Sequence, residues 1–325
     1  MERKLVGLAV IAVVVLGLGG YLLLSPTDER RSPRQGDCTG VRLDAGEDIA
    51  MAMADNPPGT TLCLAPGRYE VPRDLRPKSG QRLIGAGLDR TSLVGTGAFI
   101  MIDAKKSNAS NFLLAHVAIS ESRAKPGCKA CGSGFRGGID NIIESVRFHD
   151  HPNHGVGGNL GGLLVRNSII DHNGDERFLG CCAGGIKGGN GFTIRDSEVF
   201  SNVGVGVWCD VGCHGGMEAL DNHIYDNTRD GIRYEISDGG AVISGNLVER
   251  NNTSNAVGGH GGITSVGSSH ALIRDNILRN NGTAGIVVIK GGRADVVQDV
   301  RVVGNQLNGD SLEGCDRPGV SCEEE

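Results

Sequence analysis

The sequence predicts an all-β solenoid, one coil of strand and turn stacked on the next, and three regularities carry that expectation. The first is a phrase of two apolar residues five positions apart, written eight times: Leu114/Ile119, Ile143/Phe148, Val165/Ile170, Ile194/Val199, Ala219/Ile224, Ile243/Val248, Ile273/Leu278 and Val302/Leu307. Successive phrases lie 29, 22, 29, 25, 24, 30 and 29 residues apart. A strict register inside each phrase with variable spacing between phrases is the mark of coils whose insertions leave as loops. The second is a Gly followed by an apolar residue, opening a second strand per repeat at Gly155, Gly185, Gly206, Gly231, Gly262 and Gly285. The third is an Asn three residues after the phrase: Asn173, Asn202, Asn227, Asn251 and Asn281. Asn tolerates left-handed backbone and its amide stacks on an identical amide, so this column suits one corner of a coil. Helices are excluded, because Gly, Asn and Asp interrupt the apolar pattern at intervals no ten-residue helix tolerates. With 53 Gly in 325 residues, every corner has its turn residue.

The elements follow in chain order. Residues 1–4 form a short cytoplasmic end, and Leu5 to Leu24 is a run of twenty uncharged, mostly apolar residues behind Arg3 and Lys4. Its length and flanking charge predict a transmembrane signal anchor with the bulk of the chain exported, either extracellular on a single-pass anchor or secreted if the segment is cleaved. The absence of an Ala-x-Ala site favours the uncleaved anchor. Residues 25–37 read as a tether. Val41 to Ala54 is expected to be a helix capping the first coil, pinned by Cys38 and Cys63. The β-helix domain is expected over 38–310 and a disulfide-closed acidic tail, with Cys315 and Cys322, over 311–325. The remaining cysteines, Cys128, Cys131, Cys181, Cys182, Cys209 and Cys213, read first as disulfides of an exported protein. A Cys-x-x-Cys and a Cys-x-x-x-Cys-His ending at His214 leave zinc as the alternative. His149, Asp150, His151 and His154 form a second cluster of metal-ligand types. Asn252 is expected in a tolerant loop.

With these repeats, the opening phrase Pro57-Pro58-Gly59-Thr60-Thr61-Leu62-Cys63-Leu64-Ala65-Pro66-Gly67-Arg68-Tyr69 and the following Arg82-Leu83-Ile84-Gly85-Ala86-Gly87 complete a pattern. The chain resembles the right-handed parallel β-helix proteins of the pectate-lyase-like superfamily over roughly residues 40 to 310. The resemblance implies a single-domain right-handed coil that carries lyases, hydrolases, epimerases or adhesins, so function rests on the site. Gly259-His260-Gly261 followed by Ile263 to Gly267 is similar to a polygalacturonase motif. The chain has Lys290 where that family has Arg-x-Lys, and it contains no Arg-x-x-Pro-x-x-Arg of the pectate lyase kind.

Without residues 1–35 the chain holds 27 basic and 35 acidic residues. That balance, with no Lys/Arg clusters, excludes a general affinity for nucleic acid. Counting from each strand-opening Gly, the apolar residue at +1 faces inward, so +2 and +4 face out. One outward face then gathers Lys187, Trp208, Asp210, Arg233 and Glu235 from three coils, with His260 at the same mouth. Stacked on adjacent strands, Asp210 and Glu235 would lie about 4.8 Å apart and share a proton or a cation, Ca²⁺ being the expected cofactor. Lys187 and Arg233 beside them supply a base or neutralise them, and Trp208 offers a platform for a sugar ring, with His260 also placed to bind substrate. The opposing expectation is a solvated charge ladder with no reactive group. The chain is therefore expected to be a monomer whose partner is a polysaccharide or cell-surface glycan. It is either a polysaccharide lyase, hydrolase or epimerase, or a non-catalytic glycan-binding, adhesive or spacer module.

Overall fold

The computed structural model describes residues 38–256, 260–291 and 297–323, and the expected anchor and tether lie outside them. No helix among the described residues is long and apolar enough to cross a membrane.

Every strand pairing is parallel, and the strands stack into a right-handed coil of triangular section. Each middle coil has three strands, one more than the sequence suggested. The reason lies inside the apolar phrase. Val165 belongs to the strand Leu163–Arg166 and Ile170 to Ile169–Asp171, and Asn167 between them takes a left-handed conformation at φ 49° that turns the chain. Asp196, Asp221 and Asp275 do the same in later coils, at φ 52°, 54° and 55°. Asn and Asp occupy this region at little cost because their short polar side chains bond locally.

The predicted register holds. Ile143, Val165, Ile194, Ala219, Ile243, Ile273 and Val302 pair in one column. Phe148, Ile170, Val199, Ile224, Val248 and Leu278 form a second. Val156, Ile186, Val207, Ile232, Ile263 and Ile286 form the third, and all three columns are buried. Each such side chain contributes about 1.5–3 kcal/mol on burial, so the shared core dominates stability.

The Asn column is a continuous buried ladder. Each Nδ2 donates to the next Oδ1, from Asn173 to Asn202 (3.0 Å), to Asn227 (2.9 Å), to Asn251 (2.8 Å) and to Asn281 (3.1 Å), and the last donates to Asp310 Oδ2 (2.8 Å). The left-handed residue is not the ladder Asn but the one before it: His172, Ser201, Asp226, Arg250 or Asn280. A second ladder, Asn222 to Asn246 to Asn276 to Asn305, lines the corner inside the phrase.

Two boundaries and one loop position differ from expectation. Val41–Leu43 is a strand paired with Thr61–Leu64, and the capping helix is shortened to Ile49–Asp55, because Gly46 at φ 95° breaks the chain before Asp48 caps the helix. Leu312–Glu313 and Val320–Glu323 still pair with the preceding coil, so the solenoid runs to Glu323 with Cys315–Cys322 closing its last turn. Asn252 is fully buried, its amide bonded to both backbone groups of Ala256, and is no tolerant loop position.

Candidate functional site

The third face of the coil presents the outward column. Gly184–Gly189, Val205–Cys209, Ile232–Glu235 and Ile263–Val266 pair in register, so Lys187 stacks on Trp208, Trp208 on Arg233 and Arg233 on Thr264. Alternation sends Val207 and Ile232 inward and these side chains outward. At the head of the column stands Gly157, where a Cβ would lie 1.8 Å from Nε2 of His154. The imidazole of His154 fills that place instead, which requires a residue without a side chain.

The register brings Asp210 towards the level of Glu235, but the ladder between their strands ends at Cys209–Tyr234, and Asp210 lies one residue beyond its strand. Each carboxylate has its own cation: Asp210 meets Lys187 at 2.9 Å, and Glu235 meets Arg233 at 3.1 Å. Glu235 also accepts from Trp208 Nε1 at 2.9 Å. Of the remedies considered for carboxylate repulsion, the structure has cation pairing, and these two groups make no Ca²⁺ cradle. One face of Trp208 is covered, because the Lys187 ammonium stands 3.4 Å from the centre of its ring. Lys187 further donates to the Cys181 carbonyl. Burial lowers the Lys187 pKa, with Asp210 and Glu235 opposing the shift and Arg233 adding to it.

The centre of the site is a residue the sequence reading missed. Asp230 is fully buried; its Oδ2 meets His260 Nδ1 at 2.8 Å and Arg233 at 3.2 Å, while Oδ1 accepts from Gly261 N at 2.9 Å and from Thr264 Oγ1. Burial opposes its ionisation, but His260, Arg233 and Thr264 more than offset this and hold its carboxyl below the usual range. Burial likewise works against the Arg233 charge, yet Glu235 and Asp230 raise its pKa. The close carboxylate fixes the proton of His260 on Nδ1, which leaves Nε2 as the basic nitrogen. A signal for Asp230 existed. The residue before each strand-opening Gly is Gly184, Val205, Gly261 or Ala284 in four coils, and a polar group, His154 or Asp230, in two.

The metal readings fail on the donors. All ten cysteines are in disulfides, with Cys38–Cys63 and Cys315–Cys322 as expected and Cys128–Cys131, Cys181–Cys182 and Cys209–Cys213 between them. His214 pairs with Asp238 at 2.8 Å, and His149 with Asp150 at 2.6 Å. His151 and His154 are buried apart, bonded to Ser122 and Ser133, and burial pushes their pKa values down to about 3 and about 4. Among the described residues no three His, Cys, Asp or Glu side chains are grouped to hold a metal.

Beside the column lies a groove of about 280 Å³, whose lining includes Lys129, Arg136, His154, Cys182, Lys187 and Asp210. Three short-range disulfides close the loops around it. The residue separations they span are 3, 1 and 4, against 25 for Cys38–Cys63. By loop-closure entropy even the longest of the three stabilises the fold by about 1.6 kcal/mol less than Cys38–Cys63, so their main effect is local, on loop shape.

Residues 211–319 match the family model described as a right handed beta helix region. No curated protein matches the chain. Similar solved structures include the A-module of Azotobacter vinelandii mannuronan C-5 epimerase AlgE6, at TM-score 0.51 and 16% identity over 87% of this chain and 97% of that one. Pectate lyase Pel9A aligns at TM-score 0.52 and 15% identity over 88% and 79%. PfbA, a surface adhesin of Streptococcus pneumoniae, aligns at TM-score 0.58 and 12% identity over 87% and 82%. At such identities the likeness shows the fold alone: the chain is a right-handed parallel β-helix, a fold it shares with polysaccharide-acting enzymes and with an adhesin.

Proposed function

We propose that the third face is a glycan site centred on Asp230, His260, Arg233 and Glu235, in an exported, membrane-anchored protein that acts on polysaccharide. One observation carries this reading. The charges are sequestered: Asp230 is 0% exposed, Arg233 12%, Lys187 16% and Glu235 17%, where a solvated ladder would leave them in water. Burying four charges on the outside of a coil costs stability that nearby Val and Ile positions would not, so a ladder kept merely for solubility would not be built this way.

The chemistry that follows is proton transfer at a sugar carbon or hydroxyl. Nε2 of His260, its ring oriented by Asp230, takes a proton, and Arg233 and Lys187 draw negative charge towards them. This suits a lyase or epimerase more directly than a hydrolase, since the two carboxylates that hydrolysis needs are here committed to cations. The epimerase and lyase among the similar structures support the reading by fold, and PfbA supports the alternative of a non-catalytic adhesive or spacer module.

The test is a panel of acidic and neutral polysaccharides offered to the protein with and without Ca²⁺, scored by calorimetric binding and by product formation. Binding that weakens in Trp208→Ala, with turnover abolished in a His260→Ala protein that keeps the parent's β-sheet circular dichroism, is the expected result. Binding that survives every variant, with no product formed, favours the non-catalytic module and removes the site.

A further inference from the structure

The disulfide between adjacent residues, Cys181–Cys182, has a place at the site that its effect on fold stability does not account for. Closing a ring through two neighbouring cysteines fixes the peptide between them and so the direction of the Cys181 carbonyl, while the Cys182 carbonyl leaves the ring at its Cα. Each of those carbonyls faces a side chain of the groove. The Cys181 carbonyl accepts from Lys187 Nζ, and the Cys182 carbonyl lies 3.3 Å from His154 Nδ1. Upstream, the amides of Cys181, Cys182 and Ala183 all converge on the Phe178 carbonyl at 2.8–3.1 Å, so the pair sits at the end of a tight turn with its carbonyls turned to the groove. The opposite partner of Lys187, Asp210, sits in the loop closed by Cys209–Cys213. The ammonium is thus held between two disulfide-closed loops and pressed onto one face of Trp208.

We infer that Cys181–Cys182 is a positioning element of the site: it holds the Lys187 ammonium over the Trp208 ring. The role of these groups towards glycan rests on the function proposed above, but the positioning does not, and the two can be tested apart. Trp208 is the single Trp of the chain and reports on its own lid.

The experiment compares the full-length protein with Lys187→Ala, with Cys181→Ser/Cys182→Ser, and with all three substitutions together, by acrylamide quenching of Trp fluorescence. The ring has two faces and the cation covers one, so losing it raises the quenching constant by up to about twofold. The expected result is that rise in Lys187→Ala and in the double Ser variant, with no further rise when they are combined, because both remove the same lid. Parent-like quenching in the double Ser variant beside a rise in Lys187→Ala would overturn the inference and leave Asp210 as the sufficient anchor of Lys187. If the double Ser variant loses the parent's β-sheet circular dichroism, the folded parent is treated with a water-soluble phosphine and alkylated, with modification mapped to Cys181 and Cys182. There the phosphine takes oxygen from water to become its oxide, and the disulfide accepts two electrons and two protons to give two thiols. The same twofold rise is expected, and its absence on the mapped protein overturns the inference. Raised quenching with unaltered polysaccharide binding would uphold the positioning and remove Lys187 from the glycan site.

Discussion

The Asn ladder makes a sharp stability prediction at Asn227. Its Nδ2 donates to Asn251 Oδ1 at 2.8 Å, to Val199 O at 3.1 Å and to Tyr225 O at 3.2 Å. Its Oδ1 accepts from the amide nitrogen of Asn202 at 2.9 Å and from the backbone N–H of Asn202 at 3.1 Å. Asn227→Ala leaves that backbone N–H buried without its acceptor and strips one partner from several more groups. At about 1–3 kcal/mol for an orphaned group and about 1 kcal/mol for each lost bond, the cost is roughly 3–5 kcal/mol. In a domain of this size that is a fall in Tm on the order of 10 °C. Asn227→Asp keeps the shape but faces its second oxygen to three acceptors, so the folded chain favours the protonated acid. Its folded pKa is raised, and the stability of this variant is best below the unfolded carboxyl value of about 3.9 and declines as pH rises through neutrality. Urea and thermal unfolding at pH 5 and pH 8, with the exposed Thr253→Ala as control, measure both effects. An Asn227→Ala protein melting within two degrees of the parent, or an Asp variant indifferent to pH, would refute the argument that the ladder is a connected, buried network.

The other expectations are briefer. Ile224→Asp buries an unpaired charge in a column that is 0% exposed and should cost more than about 4 kcal/mol, while Asn252→Asp, at a buried position, should now also destabilise measurably by urea unfolding. A fragment beginning at Gly36 should fold under oxidising conditions into β-structure by circular dichroism, since the described coil begins at residue 38. Because His151 and His154 titrate near 3 and 4 in the fold against 6.5 when unfolded, stability from their neutral forms is complete above 6.5 and lost as pH falls. Between pH 7 and pH 5 each takes away roughly 2 kcal/mol, and His154→Gln should flatten the urea profile over that window by about its share. Asp230 shifts in the same sense and acts at lower pH: its depressed pKa gives stability that is present above about 3.8 and lost below, so Asp230→Asn should lack that acid limb in the same profile.

What the sequence could and could not reveal follows from how strongly each side of the coil is constrained. An inward residue must be apolar in every coil, because it shares one core with the coils above and below, and repetition makes the rule visible; hence Ile143, Ile224 and Ile263 could be placed in register unaided. The same applies to Asn173 through Asn281, since an amide ladder works only if each rung repeats. A three-strand coil was read as two because the bend at Asn167, Asp196, Asp221 and Asp275 is made by residue types that also populate ordinary turns, and a kink of one left-handed residue leaves the apolar spacing unchanged.

The outward face obeys no such repetition, which explains both what was found there and what was missed. Lys187, Trp208 and Arg233 followed from alternation alone, because alternation is a property of the strand and not of the side chain. Asp210 stands outside its strand because the strand ends one residue early, which the sequence pattern does not show. Asp230 went unseen for a stronger reason. A carboxylate at a strand mouth is ordinarily solvated, and nothing local shows that His260, thirty residues later, Arg233 on the strand that follows, the Gly261 amide and Thr264 will close around it. That closure is a property of the stacking of one coil on the next. It is also what separates a reactive group from a surface charge: an Asp in water orients nothing, whereas one enclosed by four donors fixes the ring of His260. The positions where the repeat is broken by a polar residue, His154 and Asp230, are therefore where chemistry is to be sought on this coil, and both flank the column that carries Lys187, Trp208 and Arg233.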